Sequence, residues 1–296
     1  IGPTHFEVGV FTNLTQDHLD YHKTMENYYQ AKRMMFDECD DAIINMDDEY
    51  GKRLYDEIKC RKYTCGIGNT ADFYADNISI RADGTEFDYY YNGKSAHIVT
   101  QMIGMFNVFN VMAAISVCLK IGLEINDILK ALKEYKGVKG RCEIIPTGKD
   151  FTVICDYAHT PDAIENILSS VKEYTSGDLI CLFGCGGNRD SKKRPLMAKA
   201  AAKYADRLII TSDNPRDEIP EAIIDDILAG LSDKEIPFDV VVDRTEAIYH
   251  SLKIAQKGDI IVLAGKGHED YQVLSGNEHI HFDEREIVSE GLKLIN

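Results

Sequence analysis

The chain has 296 residues, of which 44% are hydrophobic and 28% are charged, and its formal net charge is −16. A chain of this length can form two domains of ordinary size, each with its own core. The negative charge disfavours contact with nucleic-acid phosphates, and no segment rich in lysine and arginine offsets it. No apolar run approaches the ~18 residues that a membrane span needs, and residues 1–7 lack the features of a secretory signal. We therefore predict a cytoplasmic protein that binds neither nucleic acid nor membranes.

The eight cysteines are scattered along the chain, without a C-x-x-C pair. Cys118, Cys155 and Cys181 lie inside apolar runs, where a thiol packs as a small hydrophobic side chain. We expect reduced thiols and no zinc site.

The first half of the chain mixes helical and strand patterns. The segment AIINM, Ala42–Met46, is typical of a buried strand, and short β-prone pieces fill Asp72–Thr100. Asn92 and Gly93 predict a two-residue hairpin, because both positions tolerate positive φ. Four stretches show the spacing of an amphipathic helix: 27–37, 48–58, 106–121 and 124–134.

The second half is more regular. From Phe151 onward, five short aliphatic runs alternate with stretches of helical pattern: FTVICDY, DLICLFG, RLIITSD, FDVVVD and DIIVLAG. Such alternation predicts a mostly parallel sheet covered by helices on both faces. The predicted fold class is α/β, with a domain boundary near residue 143.

Four of these predicted strands end in polar loops: DYAHTPD, FGCGGNRD, TSDNPRDE and AGKGHED. Ligands of open α/β sheets bind beyond the carboxyl ends of the strands, so these loops should converge on one site. Glycine lets backbone N–H groups approach an anion, and Arg189 or Lys266 could supply the countercharge. Neither glycine-rich loop matches the G-x-G-x-x-G pattern, which removes the main support for hydride transfer.

Three further motifs each have a structural and a functional interpretation. TNLTQDHLDYH places carboxylates and imidazoles before a helix carrying Lys32, and this cluster could bind a divalent cation or cap the helix. In GMFNVFN, Asn107 and Asn110 share one helix face, as in a capped and buried helix. DNPR is either a turn before a helix that begins at Pro220 or a site in which Arg216 binds a ligand.

Seven strings resemble the Mur ligase family and occur in the order of that family: TNLTQDHLDYH…YYQAK, GMFNVFN, GRCEII, DYAHTPDA, FGCGGNRD…KRPLMA, DNPR and GKGHEDYQ. The family combines a UDP-binding N-terminal domain, a central ATPase domain with a P-loop, and a Rossmann-like C-terminal domain. The resemblance implies a partial central domain over 1–143 and the C-terminal domain over 144–296. Because the P-loop is missing from the sequence, it also implies a fragment that is inactive alone.

The resemblance further implies a reaction. It is the ATP-dependent addition of meso-2,6-diaminopimelate to UDP-MurNAc-L-Ala-D-Glu through an acyl phosphate, in peptidoglycan precursor synthesis. The implied cofactors are ATP and Mg²⁺, and we expect a monomer at full length. His18 corresponds to a magnesium ligand of the family, and Lys32 to a carbamylated lysine that acts in catalysis and helps to place a second magnesium. The residues implied to bind the nucleotide are Asn107, Asn110, Arg141, Asp156 and His159.

The residues implied to bind diaminopimelate are Arg189, Asp213, Asn214, Pro215, Arg216, Gly265 and Glu269. The guanidinium of Arg216 is suited to bidentate binding of the distal carboxylate, and Glu269 to binding of the distal ammonium. Lysine lacks that carboxylate, whereas lanthionine presents the same two ends as diaminopimelate. The alternatives are a related ligase for lanthionine or L-lysine, a folylpolyglutamate synthetase, and a non-catalytic module that binds small molecules.

Overall fold

The computed structural model describes residues 4–15, 19–81, 84–135, 137–232 and 235–295. The chain divides into two compact units, Ile1–Lys136 and Gly137–Asn296. The boundary near residue 143 stays a prediction, and residues 137–142 group with the second unit. Within the described ranges, no helix combines the length and the apolar character that crossing a bilayer requires.

The described part of the first unit contains a six-stranded sheet whose strands follow chain order. The strands are β1 (Phe6–Phe11), β2 (Cys39–Asn45), β3 (Arg61–Ile67), β4 (Phe73–Arg81), β5 (Gly84–Tyr91) and β6 (Lys94–Thr100). Pairing is parallel from β1 to β4 and antiparallel from β4 to β6. The predicted hairpin is confirmed, since Tyr91 pairs with Lys94 and both Asn92 and Gly93 have positive φ.

The helices of the first unit are α1 (Leu19–His22), α2 (Met25–Arg33), α3 (Glu49–Glu57), α4 (Met105–Lys120) and α5 (Ile125–Glu134). The helix predicted over 27–37 begins earlier and changes type, because α2 ends at Arg33 and a 3₁₀ turn continues over Met34–Glu38. Thr24 caps α2 by accepting a hydrogen bond from the backbone N–H of Asn27. The apolar residues of α4 pack on the sheet, where Val111 and Met112 join Phe87 in one core.

The described part of the second unit contains a six-stranded sheet in the order β11-β10-β9-β12-β8-β7. The strands are β7 (Glu143–Ile145), β8 (Thr152–Asp156), β9 (Leu179–Phe183), β10 (Arg207–Ile210), β11 (Phe238–Val240) and β12 (Ile260–Ala264). Strands β8 to β12 are parallel, and β7 is antiparallel to β8. Every residue of the central strands β9 and β12 is buried, as expected for a sheet covered on both faces. The predicted mostly parallel sheet is confirmed.

The helices of the second unit are α6 (Pro161–Lys172), α7 (Lys193–Ala201), α8 (Pro220–Leu228), α9 (Arg244–Ile254) and α10 (Glu284–Leu292). A small antiparallel hairpin, β13 (Tyr271–Val273) with β14 (His279–His281), follows the loop after β12. Proline occupies the first turn of both α6 and α8, where its missing N–H costs no hydrogen bond. Helices α6, α7 and α8 follow strands β8, β9 and β10 along the chain, so the loops before these helices leave the sheet at its carboxyl edge.

Candidate ligand-binding site

The loops after β9, β10 and β12 meet at the carboxyl edge of the second sheet, and they are three of the four loops that the strand pattern predicts to converge. The fourth, after β8, contacts the loop after β12, where the ring centroids of Tyr157 and His268 lie 5.0 Å apart. The backbone N–H of Gly187 donates to the carbonyl of Asn214 over 2.9 Å. The side chain of Gln272, in β13, donates to the carbonyl of Asp213. The turn containing DNPR is therefore held between the glycine-rich loop and the hairpin.

Lys266 lies at the centre of this edge and is fully buried. Its ammonium donates to the side-chain oxygen of Asn214 and, over 2.9 Å, to the carbonyl of Tyr271. It also lies 3.2 Å from a carboxylate oxygen of Asp213 and 3.4 Å from one of Glu269. The sequence favours Lys266 as a countercharge for a bound anion. The structure instead encloses its ammonium among the protein's own carboxylates and amide.

The amide of Asn214 has a defined orientation. Its Oδ1 accepts hydrogen bonds from Lys266 and from the backbone N–H of Val273, the latter over 2.9 Å. Both partners are donors only, so the oxygen must face them and the nitrogen must face away. Nδ2 accordingly donates to Oε2 of Glu269 over 3.1 Å. Among the described residues, no hydrogen bond reaches Oε1 of Glu269.

Arg216 is half-buried, and its φ of 51° lies in the left-handed region that non-glycine residues seldom adopt. Its backbone N–H donates to Val273 O over 3.1 Å. One guanidinium nitrogen donates to Gly187 O over 2.9 Å and approaches Asn214 O at 3.5 Å. A guanidinium has five N–H donors, and within the described chain Nε and the other terminal nitrogen make no hydrogen bond. The side chain is thus fixed at one end and can still donate to a ligand.

The glycine-rich loop must lie close to the turn containing DNPR. A Cβ on Gly187 would lie 1.9 Å from the carbonyl oxygen of Pro215, and one on Gly186 would lie 2.9 Å from a guanidinium nitrogen of Arg216. The buried Arg194 of α7 supports this loop, donating to Gly186 O over 3.3 Å and to Glu218 over 2.9 Å. The loop therefore needs glycine so that it can support the Arg216 side chain.

Two other residues implied for diaminopimelate lie at the same edge. Arg189 is exposed on the glycine-rich loop, and its Cγ lies 3.8 Å from the position of a Gly186 Cβ. Gly265 has a φ of 117°, and a Cβ there would face a carboxylate oxygen of Asp213 at 3.6 Å. The structure thus brings together Arg189, Asp213, Asn214, Pro215, Arg216, Gly265 and Glu269.

A fully buried ion pair lies beneath these loops. Arg244 and Glu284 approach to 2.8 Å, with both side chains fully buried. Arg244 also donates to the carbonyl of Ser212, two residues beyond β10, and to that of Ala264, the last residue of β12. Burial alone would raise the pKa of Asp213, but Lys266 and then Arg244 bring that pKa below its usual value. The Asp213 carboxylate is therefore ionised although it is buried.

The residues implied for the nucleotide in this unit lie around the start of the loop after β8. Both carboxylate oxygens of Asp156 accept backbone N–H groups, from Cys142 and Ala158, each over 2.7 Å. The guanidinium of the exposed Arg141 lies 4.6 Å from the ring centroid of Tyr157. His159 packs edge-on against the same ring at 4.7 Å. Asp156 thus holds two turns in place, while Arg141 and His159 flank one aromatic ring.

The other implied residues belong to the first unit. Asn107 is buried and donates to Ile103 O over 2.9 Å, and its Oδ1 accepts from Asn110 over 3.3 Å. Lys32 is exposed on α2, with its ammonium 5.1 Å from the ring centroid of Tyr28. His18 lies outside the described residues. The Asn107 side chain thus joins Ile103, which precedes α4, to Asn110 on that helix.

The described residues contain no group of three or more histidine, cysteine, aspartate or glutamate side chains arranged to hold a metal ion. Lys32 as an amine offers no oxygen ligand, and magnesium prefers oxygen.

Sequence reasoning missed the supporting role of three buried cations: Lys266, Arg194 and Arg244. Each is at most 2% exposed, which charged residues rarely are without partners. In the sequence, only the positions of these residues hint at that supporting role: Lys266 follows a predicted strand, in GKGHED, and Arg194 follows the glycine-rich loop. Which carboxylate each one meets depends on the folded loops.

The arrangement of the elements and the family comparisons agree on the class of protein. Residues 2–118 match the family model of the Mur ligase middle domain, and residues 140–267 match the Mur ligase, glutamate ligase domain. The chain thus has an α/β fold, and its two halves match two domains of one ligase family. The chain belongs to the Mur ligase family.

The chain is similar to curated members of this family. It is 48% identical over 290 residues to UDP-N-acetylmuramoyl-L-alanyl-D-glutamate–2,6-diaminopimelate ligase 1 of Clostridium acetobutylicum, covering 97% of this chain and 60% of that protein. It is 44% identical over 296 residues to the corresponding ligase of Bacillus cereus, with the same two coverages. The chain therefore spans about 60% of the length of these relatives.

Solved structures show the same relationship. A structure titled as UDP-N-acetylmuramoyl-L-alanyl-D-glutamate–2,6-diaminopimelate ligase matches with a TM-score of 0.64 and 35% identity, covering 97% of this chain and 60% of that one. A pseudomurein peptide ligase type C from Methanothermus fervidus matches with a TM-score of 0.73 and 18% identity, covering 96% and 63%. At that low identity the second match supports the fold alone.

Proposed function

We propose that the carboxyl edge of the second unit binds the distal end of meso-2,6-diaminopimelate. We propose further that the full-length protein adds this amino acid to UDP-MurNAc-L-Ala-D-Glu in peptidoglycan precursor synthesis. The observation that carries the proposal is the Arg216 side chain. It is fixed by Gly187 O and keeps guanidinium donors unused. The relatives named above, at 44% and 48% identity, are diaminopimelate ligases and support this choice.

The two charges of the distal end have matching groups at this edge. A planar guanidinium can bind a carboxylate through two parallel hydrogen bonds, and Arg216 has the donors for it. Glu269 keeps Oε1 without a hydrogen bond among the described residues, while its Oε2 accepts from Asn214. We infer that Oε1 accepts the distal ammonium. Exposed Arg189, on the neighbouring loop, adds positive charge beside the carboxylate.

The nucleotide is proposed to bind near Arg141, Asp156 and His159 of the second unit. In the first unit, Asn110 and the buried Asn107 stay predicted nucleotide contacts. When bound, ATP would supply the phosphoryl group that activates the D-glutamate carboxylate for attack by the amine of the incoming amino acid. Arg141 offers a cation above the ring of Tyr157, and His159 lies against the edge of that ring. These groups would bind and orient the nucleotide.

We also propose that the protein binds magnesium, although His18, one of the two proposed ligands, lies outside the described residues. His18 and Lys32 are the residues that we propose as ligands, Lys32 after carbamylation, which would convert its amine into an oxygen ligand. No catalytic step is assigned to the metal.

The proposal is tested by Arg216→Ala in the full-length protein, with steady-state kinetics for diaminopimelate and for ATP. Loss of a buried charge-assisted pair typically costs ~2–5 kcal/mol, so we expect kcat/KM for diaminopimelate to fall roughly 30- to several-thousand-fold. The KM for ATP should change little, because the residues proposed for the nucleotide lie on other loops.

Arg207→Ala is the matched control. Arg207 begins β10, the strand whose carboxyl end leads into the turn with DNPR, and it pairs with Asp239 over 2.9 Å. Its loss should leave diaminopimelate use unchanged. If Arg216→Ala leaves the kinetics for diaminopimelate unchanged, Arg216 does not bind this substrate. If kcat/KM falls equally for diaminopimelate and for ATP, Arg216 is not specific to diaminopimelate.

A further inference from the structure

Lys266 is an unusual residue for a binding edge, because its ammonium is fully buried and is not available to a ligand. An ammonium has three donors. Two of them meet Asn214 Oδ1 and Tyr271 O, and the third lies within ion-pair distance of Asp213 and Glu269. All its donors are directed at groups of the protein. Burying a charge is costly unless it is paired, so this lysine needs an explanation.

We propose that Lys266 is a positioning residue of the diamino-acid site: it orients the amide of Asn214 and holds the side chains of Asp213 and Glu269 beside its ammonium, without touching the ligand. The proposal deepens the function given above and rests on it.

The first step concerns orientation. Asn214 Nδ2 faces Glu269 only because Oδ1 is held by Lys266 and by the Val273 N–H. Without the ammonium, one of the two donors that define this orientation is lost. Glu269 would then lose both a neighbouring cation and the support for its amide partner. Its free oxygen would no longer be held in place for a ligand ammonium.

The second step concerns charge. Asp213 is 7% exposed and Glu269 is partly buried, and both lie within 3.4 Å of the one ammonium. Two carboxylates near one another in a poorly solvated site resist simultaneous ionisation. Lys266 offsets that repulsion, and it lowers the pKa of Asp213 against the effect of burial. Lys266 also lies 3.4 Å from Oε2 of Glu269, on the side away from the Oε1 proposed for the ligand ammonium.

Other charged and titratable groups also face Asp213 and Glu269. From neighbouring elements these are Arg216 on the turn, Arg244 on α9, Glu284 on α10, and the rings of Tyr157 and Tyr271. Arg244 is already paired with Glu284 at 2.8 Å. Arg216 is the group proposed for the ligand carboxylate. Among the residues that the structure describes, Lys266 is therefore the cation that forms an ion pair with Glu269.

The test compares Lys266→Met with wild type by calorimetric titration of diaminopimelate into the full-length protein. Methionine keeps the length of the side chain and removes the charge. At about pH 6 we expect affinity to fall at least ~30-fold, roughly 2 kcal/mol. At about pH 8 part of the loss should be regained, because Asp213, whose pKa rises when the Lys266 charge is removed, ionises again. A purely structural role would not produce this pH dependence.

Lys253→Met is the control, since Lys253 is exposed on α9, and it should bind like wild type at both pH values. Lys266→Arg keeps the charge and should retain more affinity than Lys266→Met. If wild type binds diaminopimelate and Lys266→Met binds it equally at both pH values, the positioning role is wrong and the proposed function stands. If wild type does not bind diaminopimelate, both are wrong.

A second measurement keeps the proposal testable even if Lys266→Met does not fold. In wild type, NMR of the lysine ammonium groups should show a slowly exchanging signal that is absent from Lys266→Arg, because a buried and hydrogen-bonded NH₃⁺ is protected from solvent. Saturation with diaminopimelate should shift that signal and leave it protected. No protected signal in the free protein, or loss of protection on binding, would contradict a residue that supports the site from beneath.

Discussion

Two sets of charges at the carboxyl edge of the second sheet behave differently. The buried set consists of Arg244, Glu284, Lys266 and Asp213, whose members pair with one another at 2.8 and 3.2 Å. In the accessible set, consisting of Arg189 and Arg216, the guanidinium groups bond only to backbone carbonyls among the described residues. The buried charges therefore hold the loops of this edge in place, and the accessible guanidinium groups keep hydrogen-bond donors for a ligand.

The largest expected effect breaks the buried set. Removing one partner of a buried ion pair leaves an uncompensated charge and typically costs ~3–5 kcal/mol. We therefore expect Arg244→Met to lower the free energy of unfolding by about that amount, measured by urea titration of the chain. Arg216→Ala is the matched comparison and should cost only about 1 kcal/mol, because it removes a hydrogen bond to a backbone carbonyl from a half-buried side chain and leaves no charge unpaired. Equal stabilities of the two variants would show that the division into two sets is wrong.

A smaller effect on stability is expected from a partly exposed ion pair, whose burial lies between that of the buried set and that of the accessible set. Arg285 donates to Glu143 over 2.7 Å and to Asp283 over 3.0 Å. Burial alone would raise the pKa of Glu143 and of Asp283. Hydrogen bonds, mainly from Arg285, instead bring these pKa values below the usual 4.5 and 3.8. A carboxylate with a lowered folded pKa contributes stability above its unfolded pKa and loses it as pH falls through the folded pKa.

The chain should therefore lose stability as pH falls below about 4.5, and Glu143→Gln should make this loss smaller. At neutral pH the variant should be less stable by about 1 kcal/mol, since the pair is partly exposed. Urea titrations between about pH 3 and pH 7 measure both effects. An identical pH dependence in the variant would show that the Glu143 pair does not contribute to acid stability.

The sequence predicts the sheet of the second unit well, because the strands are aliphatic runs of regular spacing. It does less well in the first unit, where the local pattern predicts neither Phe6–Phe11 nor Arg61–Ile67 as a strand although both pair in parallel within the sheet. The second of these, RKYTCGI, has few aliphatic residues. Its strand conformation depends on its neighbours β2 and β4 rather than on a local pattern.

The candidate site shows the same limit. That the strand-end loops converge follows from parallel pairing and was predictable. That Lys266 passes beneath Asn214, and is not a countercharge for an anion, depends on how a loop 52 residues further along the chain folds against the turn. The proposed nucleotide contacts of Asp156 and Asn107 likewise meet side chains already bonded within the protein, and these contacts stay predictions.

The central claim is that the guanidinium of Arg216 binds the distal carboxylate of a two-headed amino acid. A crystal structure of this chain with meso-2,6-diaminopimelate tests it most directly. We predict two hydrogen bonds from Arg216 to that carboxylate, with the distal ammonium on Oε1 of Glu269 and Lys266 still bonded to Asn214. A ligand bound elsewhere, or an Arg216 side chain turned into solvent with the ligand present, would contradict the account.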